Sequence, residues 1–235
     1  MCGRLNVISD PLAQFLLEVM SVRYQGLDQI NLSPTGELPV LIQPSEGPIE
    51  IILMRWWLVP AWTDEPSTKY AMFNARVESA SRSPAFRGPY LAQRCLVPVS
   101  GYYEWTKHAD QKFPTLIRPK DSAGMFLAGL WDRWIKGDQE ILSFTILTTQ
   151  ACESLSRVHT RQPVILSNGE SIDWLDMSIP TKELESVLQP RLPIALELMP
   201  VSTYVNKSTN QFRECMEPIG QSAFLSIDIP GGLIH

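Results

Sequence analysis

The sequence predicts a single α+β domain with a mainly antiparallel, barrel-like β-sheet flanked by short helices. Nineteen prolines against 13 glycines are spread along the chain rather than gathered in tracts. That spacing suits many short strands and loops and excludes a coiled coil or long helical bundle. β-Branched and aromatic runs bounded by turn residues recur throughout. The 235 residues, 44% hydrophobic and 19% charged, suffice to bury roughly 70–75% of the unfolded surface without disulfide or metal staples. No internal repeat or linker-like shift in composition divides residues 1–235.

The elements follow in order. Asp10 is read as an N-cap with Pro11 at the first helical position, and Leu12, Phe15, Leu16 and Val19 then recur at helical spacing, so a helix is expected over about residues 11–21. Residues 38–43 and 49–59 read as a hairpin around Ser45-Glu46-Gly47-Pro48. Residues 60–94, with Pro60, Pro66, Pro84 and Pro89, read as mostly irregular. Strands are expected at residues 95–99, 102–106, 115–118, 125–131 and 141–149. Ser167 with Glu170 forms a capping box, and Thr181 starts another helix. Apolar pieces at 196–201 and 224–227 close the chain.

Charge and cysteine content restrict the function classes. A net charge of −5 and a pI near 5.3 exclude a uniformly basic nucleic-acid binder. A local basic surface is compatible, because residues 69–94 carry Lys69, Arg76, Arg82, Arg87 and Arg94 against Glu78 alone. Cys2, Cys95, Cys152 and Cys215 share no CxxC spacing and no zinc-like arrangement with histidine, so neither a metal nor a cofactor is expected. The last three read as small buried hydrophobes. The opening MCGRLNVISD lacks a basic and an apolar leader segment, and no apolar run approaches the roughly 18 residues of a membrane span. A cytoplasmic monomer with reduced thiols is the expectation.

Cys2 is chemically distinct. Removal of Met1 would leave an amine and a thiol on adjacent carbons, a 1,2-aminothiol. The amine condenses with an aldehyde to an imine, and the thiol then closes a five-membered thiazolidine. Glu104, among aromatics in Gly101-Tyr102-Tyr103-Glu104-Trp105, suits a general acid or base if buried and a solvated carboxylate if not. His159 precedes the apolar run Val164-Ile165-Leu166, where a functional group or a structural ring fits equally. Asn74 is a loop amide. His108 and His235 read as exposed and inert. Trp56, Trp57 and Trp62 are too many for one strand interior, so some can offer a stacking surface to bases.

These pieces together resemble the SRAP family (SOS response-associated peptidase, abasic-site DNA–protein crosslinking proteins). The resemblance rests on Met1-Cys2-Gly3-Arg4, Asn31-Leu32-Ser33-Pro34-Thr35, Arg55-Trp56-Trp57-Leu58-Val59-Pro60-Ala61-Trp62 and Asn74-Ala75-Arg76-Val77-Glu78. Further along come the Glu104 motif, His159-Thr160-Arg161-Gln162-Pro163-Val164-Ile165-Leu166, Pro200-Val201-Ser202 and Val205-Asn206. It implies a DNA-damage protein that binds single-stranded DNA and captures abasic sites through mature Cys2 as a thiazolidine, a lyase-like activity. Asn74, Glu104 and His159 fall on the other active-site positions. Arg4, Arg76 and Arg161 fall on phosphate-binding positions, and Trp57 on the DNA-facing wedge. The chain departs from the family pattern at Trp57, where glycine is usual, at Thr160 and Gln162, where Asp and Met are usual, and at Ile30, where Tyr is usual. Two other readings stay open: a cysteine peptidase or N-terminal-nucleophile hydrolase using Cys2, including self-removal of Met1, and a non-catalytic single-strand binding module.

Overall fold

A computed structural model describes residues 2–108 and 111–229. The chain opens with β1 (Leu5–Val7), helix α1 (Ser9–Met20), β2 (Gln29–Leu32), β3 (Glu37–Ile42) and β4 (Glu50–Trp56). Then come β5 (Asn74–Arg76), α2 (Val77–Ala80), α3 (Arg87–Ala92), β6 (Arg94–Val99), β7 (Gly101–His108) and β8 (Gln111–Pro119). A long hairpin of β9 (Met125–Lys136) and β10 (Gln139–Gln150) leads to α4 (Glu153–Ser156), β11 (Arg161–Pro163), β12 (Ile165–Leu166) and α5 (Asn168–Leu175). The chain closes with 3-10 turns at Thr181–Leu188, Thr203–Asn206 and Arg213–Met216, interleaved with β13 (Leu196–Pro200) and β14 (Ala223–Leu225).

Five strands close into a barrel in the order β10-β4-β3-β6-β9, with β9 returning to β10. An odd number of strands cannot alternate direction all the way round a ring, so one neighbouring pair must run parallel. That pair is β4–β10, with Arg55 beside Ser143. The six-stranded sheet runs β14-β13-β8-β7-β1-β2 and is antiparallel throughout. Its inner face, with Leu5, Val7, Tyr102, Ile117 and Leu196, joins the barrel residues in one core. Its outer face makes a second, smaller core of Ile30, Tyr103, Leu116, Met199, Val201, Val205 and Cys215.

Local chemistry explains the element ends. Helix α1 begins at Ser9, earlier than the Asp10-Pro11 signal suggests, and Asp10 is not its cap. The free N–H of Ser9 instead donates to Asp28 Oδ1 at 2.9 Å, a cap supplied from the loop before β2. This bond, followed by the Arg213 contact, holds the Asp28 carboxyl below its usual range. The capping box of Ser167 and Glu170 forms as expected. Residues 181–188 make a 3-10 rather than an α-helix. Gly101 is required where β7 crosses its neighbour, because a β-carbon there would lie 2.8 Å from the Ile117 carbonyl oxygen.

Residues 60–94 hold more order than the prolines suggest, with β5, α2 and α3 inside them. His108 is the last residue of β7. His235 falls outside the described residues. No helix among the described residues is long and apolar enough to cross a membrane.

Candidate active site

Cys2 lies three residues before the start of β1 and is fully buried in the larger core. Its sulfur accepts the backbone N–H of Arg4. Burial pushes the thiol well above the ordinary range, and the Glu104 carboxylate pushes it the same way, so the group is a thiol at neutral pH. Asn74 opens β5, a three-residue strand that lies parallel to β10 with Asn74 beside Ile146. Its Nδ2 donates to the Cys2 carbonyl at 2.7 Å. Its Oδ1 is buried and lacks a hydrogen-bond partner among the described residues, an acceptor held beside Cys2.

Glu104 is 5% exposed, which decides between the buried and solvated alternatives. Period-2 alternation along β7 puts it on the same face as Tyr102, toward the large core, while Tyr103 joins the small core on the other face. The buried Tyr102 hydroxyl is raised first by desolvation and then by Cys2, Glu104 and Cys152, so these four groups share one low-dielectric neighbourhood. Sequence reasoning missed Tyr102, although its place two residues before Glu104 marks it as facing the same way.

His159 is half-buried between α4 and β11. The backbone N–H of Arg161 donates to its Nδ1 at 2.9 Å. Nδ1 also lies 3.2 Å from the Arg161 carbonyl oxygen, so both main-chain groups of Arg161 face this one ring nitrogen. The departures beside it now have places. Thr160 is exposed. Gln162 is a buried brace that accepts from Cys152 N at 2.8 Å and donates to Arg191 O at 2.7 Å.

The remaining predicted residues fall in two places. Arg76 is exposed on β5, and the Arg161 guanidinium is bound to Glu78 on α2. Arg4 turns to the opposite face of the sheet, donating to Asn31 Oδ1 at 2.8 Å and Val205 O at 3.0 Å, with its guanidinium 5.7 Å from the Trp105 ring centroid. There Arg4, Trp105, Lys112 and Asn206 line an open cleft of about 360 Å³. Trp105, Lys112 and Asn206 were not singled out as binding residues from sequence.

Trp57 is half-buried and packs on Phe73 at 5.3 Å between ring centroids. Trp56 is fully buried, and Trp62 is 67% exposed. Cys95, Cys152 and Cys215 are buried as expected. Arg94 corrects the basic stretch, because only 2% of it is exposed and it bonds the carbonyls of Trp174, Asp176 and Ile179 and the Thr181 hydroxyl. Lys69, Arg76, Arg82 and Arg87 remain at the surface.

The residues that meet around Cys2 come from distant parts of the chain. The sequence profile of the SOS response associated peptidases (SRAP) matches residues 1–208. The chain belongs to the SRAP family. The abasic site processing protein YoaM of Bacillus subtilis is 30% identical over 223 residues, covering 92% of this chain and 98% of its own. The abasic site processing protein HMCES of Gallus gallus is 32% identical over 222 residues, covering 80% of this chain and 66% of its own. The SRAP fold recurs in the crystal structure of a protein from Bacteroides thetaiotaomicron, with a TM-score of 0.76 and 25% identity, covering 93% of this chain and all of that one.

Proposed function

We propose that this protein binds single-stranded DNA and captures abasic sites covalently through Cys2, as part of a DNA-damage response. The observation that carries the reading is the Asn74–Cys2 bond beside the buried Glu104, which gathers an amide, a carboxylic group and a thiol at the second residue of the chain.

The chemistry begins with hydrolysis of the Met1–Cys2 peptide bond, which frees the α-amine. Asn74 Oδ1 accepts from that amine and holds it toward the substrate. Glu104 protonates the sugar ring oxygen and takes up the proton of the anomeric hydroxyl as the ring C–O bond breaks, so the abasic sugar opens to its aldehyde. The amine adds to the aldehyde carbon, and the adduct loses one water to give the imine. The Cys2 sulfur then adds to the same carbon while its proton passes through Glu104 to the nitrogen, closing the thiazolidine. His159 donates Nε2–H to the hydroxyl released from the sugar ring. The product is protein plus strand minus one water.

A buried thiol next to a carboxylate supports this order of events. A peptidase nucleophile works as a thiolate, favoured by a cationic neighbour. Around Cys2, burial and Glu104 favour the thiol over the opposing N-terminus and Arg4 N–H, which disfavours Cys2 as a peptidase nucleophile; removal of Met1 is the one proteolytic step that capture requires.

For the DNA itself, Arg76 is exposed near the site, and the Arg4–Trp105–Lys112–Asn206 cleft offers cations and a ring face. We assign phosphate contacts to Arg4, Arg76 and Arg161, and the wedge against neighbouring bases to Trp57. Incubation of the Met1-free protein with an abasic single strand, followed by denaturing electrophoresis, should give a shifted covalent band. Cleavage of peptides in trans with no such band would move the assignment to a hydrolase, and salt-sensitive binding with no band would move it to a non-covalent module.

A further inference from the structure

Glu78 is half-exposed on α2 and has no part in the steps above. We propose that it is a positioning residue for His159, acting through Arg161; this rests on the abasic-capture reading. The Glu78 carboxylate binds the Arg161 guanidinium in a two-pronged pair, Oε1 to Nη1 at 2.7 Å and Oε2 to Nη2 at 3.0 Å. Nη2 also donates to the Thr148 carbonyl at 2.5 Å and to the Thr148 hydroxyl at 3.2 Å. Three acceptor groups thus fix the guanidinium in position and rotation. The main chain of the same residue carries the N–H that donates to His159 Nδ1. Holding Arg161 therefore holds the ring.

The sheet alone anchors this point lightly. Strand β11 is three residues long, Arg161 is its first residue, opposite Gln150, and Thr160 before it is exposed. The side-chain brace supplies a second anchor at the strand end. The asymmetry of exposure agrees, since the Arg161 side chain is 13% exposed and that of Glu78 is 46%. Removing Glu78 leaves a largely enclosed cation without its counter-ion, which draws the side chain toward solvent and shifts the strand start with it. Arg161 binds both its carboxylate and Thr148 before any DNA arrives, so a phosphate at this arginine has to share or displace Glu78.

The test uses Glu78→Ala, and Glu78→Gln, which keeps the shape and one acceptor, in the full Met1-free chain. Single-turnover capture of an abasic strand is followed across strand concentration, so that the maximal rate and half-saturation separate. The ¹⁵N shifts of the His159 ring are read in the free protein. The expected result for Glu78→Ala is a maximal rate lowered about tenfold, as for other groups that orient a functional histidine, with half-saturation moved by less than about threefold. The His159 ring nitrogens should move from their shifts in the unsubstituted protein, and Glu78→Gln should fall between. An unchanged maximal rate and ring spectrum would overturn the proposal; if DNA binding also tightened, Glu78 would be a competitor of phosphate for Arg161. Failure of the unsubstituted protein to form any adduct would instead defeat the capture reading, and the ring spectrum would still decide whether Glu78 positions His159.

Discussion

Strand β7 has two faces that differ in kind. Tyr102 and Glu104 point into the large core, where both are buried, and share a water-poor neighbourhood with Cys2. Tyr103 and Trp105 point the other way. Tyr103 packs in the small core, and Trp105 lines an open cleft with Arg4, Lys112 and Asn206, its Nε1 donating to Asn206 Oδ1 at 2.7 Å. Proton transfer benefits from a dry, fixed carboxylate, because electrostatic interactions strengthen as water is excluded. Holding a polyanion needs accessible cations and ring faces. One strand carries both kinds of surface, since alternate side chains face opposite ways, and the chain entering β1 repeats the arrangement with Leu5 inside and Arg4 outside.

Substitutions on the two faces should separate rate from affinity. The largest effect is expected at Cys2→Ala, which removes the thiol and should abolish the covalent adduct on a denaturing gel while leaving non-covalent binding intact. Glu104→Gln keeps the shape and removes the titrating group, so capture should slow by about 10²–10⁴-fold at saturating strand in a single-turnover assay. On the outer face, Trp105→Ala should weaken binding by about 1–3 kcal/mol in a fluorescence titration if a base stacks there, with the saturated capture rate unchanged. Arg4→Ala should lower the slope of log affinity against log salt by about 0.7, the contribution of one phosphate contact on a single strand. Arg94→Ala is the control within the basic stretch. It should cost about 3 kcal/mol of stability in urea unfolding, by stranding the carbonyls it satisfies, and leave the salt slope of DNA binding as it is. A rate loss at Trp105 equal to that at Glu104 would erase the distinction between the faces.

The arginines show how far the sequence was legible. Alternation located β7 but left two options for Glu104, because a carboxylate flanked by aromatics fits either face of a half-buried strand. Burial of Glu104 itself, on the same face as Tyr102, settles the choice. Counting charges placed Arg94 with the surface cations. The fold carries it inward, where its guanidinium meets the carbonyls of Trp174 and Asp176 at the end of α5, which a helix leaves unsatisfied. Composition cannot register that pairing because the two partners are about 80 residues apart. The cap of α1 has the same origin: Asp10 is the local signal, and Asp28 does the capping after the chain returns. One long-range pairing, by contrast, joins two residues singled out from the sequence. Cys2 and Asn74 meet although 72 residues separate them, and β5 inside the proline-rich stretch is the element that brings them together.

The most direct test of covalent capture is the intact mass of the Met1-free protein before and after incubation with a single-stranded oligonucleotide carrying one abasic site. Capture predicts a new species at the sum of protein and strand less one water, absent from Cys2→Ala. A protein that binds the strand yet keeps its unmodified mass would contradict it.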